Sequence, residues 1–495
     1  MPDAIALIIG GPDIEDHELF WSDTGFTSNA TDSLYPSRNF HGVIIGEVEV
    51  NTQVSCVFWG RRSGFNISQI ELINNDGALD YLLDAAIKGK AIQIRTGDTS
   101  VRWDDWNLEY AGVVEDLSFA NANRPRLIIA NSSARFEVAF QPNVYPDTAN
   151  DAIAGSPIPK AMGLCYNVPC LLTDPVALTY ETGAGTGTTV LLVRDNGAEL
   201  TPTTQWTQSN GVITLLDQPA GRITADIDTG SQDVASFAEI IMASAGLSSG
   251  DLGDLGGIDA EGYTLGYWSG GTPVTCEQVM NTLVDAYAGW WWMDKESKVR
   301  FGQLKEPSVS ADFTITPNDF DKEQVISANQ DGMPGFSRIC AGKRNFHVST
   351  PSEIATALTS PTVTQISVDL QKDYRFRGIG ETAGSPSADQ SAETEKFEGA
   401  RVTTGGTGIG TMLQVELEIK AEADRWTALR DVRRRFFELP LVIANAREIE
   451  IGDTIKVTAP SGRHGPRVGL NETNLLVIGV KYKLRAKVAI IRAWG

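Results

Sequence analysis

Four histidines, five cysteines and 63 acidic residues are the groups in this 495-residue chain that can do chemistry. His17, His41, His347 and His464 stand apart, none at metal-ligand spacing from another or from a cysteine. Cys165 and Cys170 are near neighbours, but an odd, thinly scattered set reads as free thiols, neither a disulfide framework nor a metal cluster. A glycosidase needs an acid and a base carboxylate, and Asp104, Asp105, Glu109, Glu115 and Asp116 offer candidates. Spacing selects no pair among them, and in so acidic a chain solvated surface is the better reading. The runs GAGTGT from Gly183 and GGTGIGT from Gly405 do not complete G-x-G-x-x-G and open no marked helix, so they read as turns. No nucleophile elbow or P-loop occurs. The expectation is no enzymatic turnover and no cofactor.

Two further clusters carry binding potential. Trp290, Trp291 and Trp292 can stack on sugars or bases. In a strand, however, alternate indoles face opposite sides, which favours packing. Arg425, Arg430, Arg433 and Arg434 concentrate positive charge, but the formal net charge of −22 opposes phosphate neutralisation. These arginines are expected at subunit contacts, pairing with acidic neighbours. No apolar run approaches the ~18 residues of a membrane span. The opening MPDAIALIIGG has an acidic flank and too short an apolar run for a signal peptide.

The elements that would position these residues are mostly strands. Val43–Val50, Val54–Trp59, Phe65–Ile73, Ala91–Arg95, Trp106–Gly112 and Arg126–Ala130 alternate or run apolar. Ala78–Ala86 reads as a short helix with Leu79, Leu82, Leu83 and Ala86 on one face. Ala177–Tyr180, Val190–Asp195, Val212–Leu215 and Arg222–Ala225 form a second β stretch. A helix follows through Val234, Phe237, Ile241 and Ala245, then a short strand, Tyr263–Trp268. Thr275 and Gln278 form a capping box before a second helix, with Gly289 as its stop and a tryptophan hairpin after it. Residues 350–411 have little to bury. Leu413, Val415, Leu417 and Ile419 alternate as a strand. Ala421–Glu438 reads as a helix with Trp426, Leu429, Val432 and Phe436 inward, stopped at Pro440. The C-terminus is β: Glu448–Ile451, Thr454–Thr458, Leu475–Lys483 and Lys487–Trp494.

Several stretches resemble the baseplate hub, or tail-tip, proteins of long-tailed bacteriophages. They are ELINNDGALDYLLD (Glu71–Asp84), GKAIQIRTGD (Gly89–Asp98), YAGVVEDLSF (Tyr110–Phe119), FQPNVYPDT and KAMGLCYNVPCLLTDPVALTYE (Lys160–Glu181). AGRITADIDT, AGWWWMDKESKVRFGQL and the closing EIGDTIKVTAP…LLVIGVKYKLRAKVAIIRAWG continue the series. Cys170 departs from a proline common there, and Lys295-Glu296-Ser297 replaces a glycine turn.

The resemblance implies a mainly β multidomain protein with a small α+β domain. Two tail-tube-like β-barrel domains, residues 1–158 and 307–495, would form the hub, the latter with a polar insertion at about 350–411. A small β domain, 159–229, and an α+β domain with the Trp hairpin, 230–306, would be peripheral. The implied role is a homotrimeric ring at the virion tail tip, assembled in the host bacterial cytoplasm. It would join tail tube and distal-tail proteins to the tape-measure protein and the fibre or spike, and gate DNA without binding it specifically. A hexameric distal-tail ring, or a glycan-binding or hydrolytic tail protein, is the alternative.

Overall fold

The computed structural model describes all residues except 1–2, 11–17, 55–63, 68, 131, 148–149, 184, 186, 231, 254, 256–257, 259–261, 322–325, 331–336, 356–357, 359–363, 382–408, 432–433 and 460–469. Most of Val54–Trp59, His17, His464, Cys56, Arg433 and much of the 350–411 stretch therefore lie outside the described residues. The chain is mainly β, with four α-helices among those residues: α1 (Val234–Ser244), α2 (Cys276–Asp285), α3 (Thr364–Leu370) and α4 (Glu416–Arg430).

It divides into two units, each assembled from separated stretches of chain. The first comprises Met1–Arg135, Trp291–Gln330 and Arg435–Gly495; the second comprises Phe136–Trp290 and Asp331–Arg434.

The first unit holds a nine-stranded sheet in which strand Asp3–Ile9 pairs with Leu19–Ser22 and Ala91–Asp98. Both faces of that strand are covered, so Ala4 through Ile9 are all buried and the sequence reads as a continuous apolar run. Phe40, Trp103 and Trp106 form the core on one side, with Phe26 stacked on Phe40 at 4.5 Å between ring centres. The other large sheet of this unit has eight strands and is built chiefly from the C-terminus. Strand Glu49–Gln53 joins it by pairing antiparallel with Thr473–Lys483. That pairing places N-terminal and C-terminal sequence in one sheet. Among the described residues the strand orders are open paths, and no sheet closes on itself.

The second unit contains five-, four- and three-stranded sheets. The first two use the strands read from residues 160–228, Val212–Leu215 falling where the alternation places it. Helices α1 and α2 pack on one another. The Thr275–Gln278 capping box is formed in both directions. The stop comes earlier than Gly289: Ala286 is the C-cap, and Ala288 takes the positive φ of 49°. Gly289 already belongs to strand Gly289–Met293, which pairs with Val299–Gln303 as a hairpin.

Three readings of the sequence are corrected here. Leu413–Ile419 is not a strand: α4 begins at Glu416, and Leu417 leaves 82% of its surface exposed. The period-two pattern there is accidental, and the buried set Ile419, Ala423 and Trp426 has helical spacing. The expected helix Ala421–Glu438 ends at Arg430, and Arg435–Val442 is a strand. Pro440 is tolerated in it because the neighbouring strand Ser327–Gln330 pairs only as far as Glu438. Similarly, Ala78–Ala86 yields one 3-10 turn, Asp80–Leu83, with Leu83 exposed.

Candidate functional site

In the first unit, a cleft is lined by Glu109, Trp292, Asp294, Lys295 and Arg447, among others. Strand Asn107–Ser118 presents Glu109, whose side chain is almost wholly buried. Its carboxylate accepts from Arg447 Nη1 at 2.6 Å and from the Thr96 hydroxyl. Arg447 Nη2 also donates to Thr96 Oγ1 at 3.0 Å, closing a three-membered ring of contacts. Tyr482 lines the same cleft, and burial, reinforced by the charge of Glu109, pushes its phenol pKa up. A carboxylate already engaged by a guanidinium and a hydroxyl has little hydrogen-bonding capacity left for a substrate. The cleft measures about 100 Å³. That is room for a few waters, well below the ~300–1,000 Å³ of usual small-molecule sites.

The remaining carboxylate candidates form no acid–base pair. Asp104 accepts from the Ser33 amide at 3.0 Å and from Arg102, and these contacts, the amide foremost, hold it at about 2. Asp294 serves its own hairpin, accepting from the amides of Glu296 and Lys298 and pairing with Arg300 at 2.8 Å. Glu115 and Asp116 are exposed on their strand. Trp290 and Trp291 are buried, so of the three indoles only Trp292 reaches a surface. A stacking platform needs exposed ring faces, and this run does not supply two of them.

Of the arginine cluster, Arg425 and Arg430 belong to α4 and Arg434 precedes the strand Arg435–Val442. Arg425 is used inside the second unit: Nε donates to Glu422 at 3.1 Å, and Nη2 reaches both Glu422 and the Tyr287 carbonyl, the latter at 2.6 Å. Glu422, fully buried, also accepts from Trp426 Nε1 at 2.5 Å and Tyr263 Oη at 3.1 Å. Arg430 ends the helix, and Arg434 immediately precedes the strand that starts at Arg435.

The second unit carries a polar centre that the sequence did not disclose. Asp226 on strand Ile223–Asp228 receives both terminal nitrogens of Arg194 at 2.7 Å. It also accepts the Asn167 amide at 2.8 Å and has Arg375 at 3.6 Å. Burial alone would raise its pKa; the Arg194 contacts and the Arg375 charge outweigh that and hold it below the usual carboxylate range. Arg375 lies 4.8 Å from the centre of the Tyr166 ring and donates to Asn345 Oδ1 at 2.7 Å. This centre ties the 160–228 strands to the chain that returns after residue 337. Nearby, His347 pairs with Glu353, which the Thr350 amide holds at about 2. Among the described residues, no group of three or more His, Cys, Asp or Glu is placed to hold a metal.

These centres bring together residues far apart in sequence; Glu109 and Arg447 are 338 positions from each other. No local spacing signals such a pair.

No family model matches the chain, and no curated protein matches it. Solved structures do. A prophage tail protein from Listeria monocytogenes EGD-e aligns over 99% of this chain and 94% of its own, at 8% identity and a TM-score of 0.39. The 43 kDa tail protein of prophage MuSo2 from Shewanella oneidensis aligns over 99% and 96%, also at 8% identity and 0.39. A chain of the virion of a native gene transfer agent particle covers 46% of this chain and 80% of its own, at 14% identity and 0.21. No helix among the described residues is long and apolar enough to cross a membrane.

Proposed function

We propose that this chain is a structural subunit of a bacteriophage tail, a baseplate hub protein forming a ring at the tail tip. The observation that carries the reading is the pairing of Glu49–Gln53 with Thr473–Lys483. N-terminal strand Glu49–Gln53 thereby joins the sheet built from the closing C-terminal stretch that resembles hub proteins. In this reading residues 1–158 and 307–495 supply barrel-like hub domains, while 159–229 and 230–306 are peripheral. Three copies form the ring, joining tail tube and distal-tail proteins to the tape-measure protein and the fibre or spike. Arg430, Arg433 and Arg434 lie at subunit contacts, and Arg425, already paired with Glu422, supports them from within its own unit.

The ring passes DNA without holding it. Duplex DNA carries about one charge per 1.7 Å of axis, so a basic bore would retain it. A chain of net charge −22 can line the bore with neutral or acidic groups that repel the duplex over ~8 Å in physiological salt. A density map of assembled tails, with native mass measurement of the purified chain, tests the reading. Three copies around the tail axis are expected. Six copies would favour a distal-tail ring. A monomer that cleaves host glycan would overturn the structural role.

A further inference from the structure

The second unit contains a cavity of about 430 Å³ lined by Phe140, Pro142, Ile158, Pro159, Lys160 and Ser244. Its cation, Lys160, has no anionic partner among the described residues. Lys160 Nζ donates to Ser244 Oγ at 2.6 Å and lies 4.4 Å from the centre of the Phe140 ring. Ser244 donates its own proton to the Ile240 carbonyl at 2.9 Å, so towards Lys160 it only accepts. Among the described residues no carboxylate stands within ion-pair reach of Nζ, although the chain has 63 acidic residues. The other titratable neighbour is Cys276, a buried thiol. Burial pulls the Lys160 pKa down, with Cys276 opposing the shift, as expected for an ammonium that has lost water and gained little in return. An aromatic face and one hydroxyl leave hydrogen-bonding capacity on Nζ for a third partner.

The lip of the cavity is apolar and accessible. Pro142 and Asn143 are exposed, and the adjoining Val144 leaves 54% of its surface uncovered. The Gln141 amide nitrogen is fully used, bonding the carbonyls of Ile158, Ser269 and Gly270, which fixes the wall. A lone carboxylate would satisfy Lys160 but leave the apolar walls wet, whereas the volume lies in the ~300–1,000 Å³ range of formed binding sites.

We propose that this cavity binds an acidic peptide segment, seating an Asp or Glu carboxylate on Lys160 and a neighbouring apolar side chain against Phe140, Pro142 and Ile158. The assignment uses only the second unit's own residues and does not depend on the tail-tip reading. The overall charge of −22 repels acidic peptides elsewhere, so binding of one isolates this site.

The test is fluorescence anisotropy on the full chain with a labelled short peptide carrying Asp between two Phe residues. Its Asn counterpart and free phenylacetate are the comparisons. The Asp peptide should bind about tenfold more tightly than the Asn peptide, and Lys160→Met should weaken it by a similar factor. On the unaltered chain, bound Asp peptide should slow acylation of Lys160 relative to exposed Lys88, read by mass spectrometry. That measurement decides even if Lys160→Met fails to fold. No binding, equal affinity for the Asn peptide, or unprotected Lys160 overturns the proposal. Displacement by phenylacetate at the peptide's own dissociation constant would assign the site to small acids and overturn the peptide.

Discussion

Replacing Asp226 with Asn removes one charge from the centre of the second unit while keeping its shape. Arg194 and Arg375 would then face each other without an anion. The side chain of Arg194 is only 5% exposed, so solvent cannot compensate it. Breaking one partner from a buried ion pair costs about 3–5 kcal/mol, because a charge is left unmatched in low dielectric. Here the bidentate 2.7 Å geometry and the lost anionic acceptor for the Asn167 amide favour the upper part of that range. At ~2–4 °C per kcal/mol, the calorimetric transition of this unit should fall by roughly 8–20 °C. The double variant Arg194→Met with Asp226→Asn should lose less than Asp226→Asn alone, since no bidentate cation is orphaned. The pH dependence supplies an independent sign. The folded-state pKa of Asp226 is depressed, so its contribution is present above the unfolded value near ~3.9 and disappears as pH falls through the folded one. Wild type should therefore lose more stability than Asp226→Asn below about pH 4. A loss under ~1 kcal/mol, or a double variant worse than Asp226→Asn, would refute the argument that this carboxylate neutralises a buried cationic pair.

Three other substitutions test separate parts of the chain. Gly380→Val should destabilise the second unit by about 2–3 kcal/mol in urea titration, because a Cβ there would collide with the Ala423 carbonyl of α4. Thr275→Ala removes the Thr275–Gln278 box of α2 and should cost about 1 kcal/mol by the same titration, with hydrogen exchange rising first at the helix start. Asp453 is raised to about 6 by burial, with Asp312 and Glu450 adding to it. Its charged form is therefore disfavoured in the fold, so stability is lost as pH rises from about 4 through 6. Discounted for its partial exposure, Asp453→Asn should gain about 1 kcal/mol at pH 7 and nothing at pH 4, which thermal unfolding across that range will show.

Much of the local structure was legible because its signals are short-range. Val212–Leu215 alternates with half its residues facing a core, and Thr275 with Gln278 closes a turn within three residues. Failures occurred where a tertiary contact replaces the local rule. In α4 the buried face includes Glu422, whose charge is absorbed by Arg425, Trp426 and Tyr263, so the hydrophobic period is interrupted where it matters. Close packing of α4 rests on Gly378 and Gly380; a Cβ at Gly378 would lie 2.6 Å from the Ile419 carbonyl oxygen. Two isolated glycines announce no such approach. The Glu109–Arg447 and Arg194–Asp226–Arg375 centres were hidden for the same reason: each joins chain segments that only the fold brings together.

The pairing of Glu49–Gln53 with Thr473–Lys483 also sets an order of events during synthesis. The partner strand leaves the ribosome about 420 residues later, a delay of roughly 20–80 s at bacterial elongation rates of ~5–20 residues per second. The last segment of the second unit, ending at Arg434, emerges before any of the Arg435–Gly495 strands of the first. Throughout that interval Glu49–Gln53 offers an edge to any other nascent chain, the situation in which strands pair wrongly between polysome neighbours. Truncated chains lacking the last ~25 residues should accordingly aggregate rather than persist as soluble fragments, since that deletion removes all of Thr473–Lys483 and of Val488–Trp494.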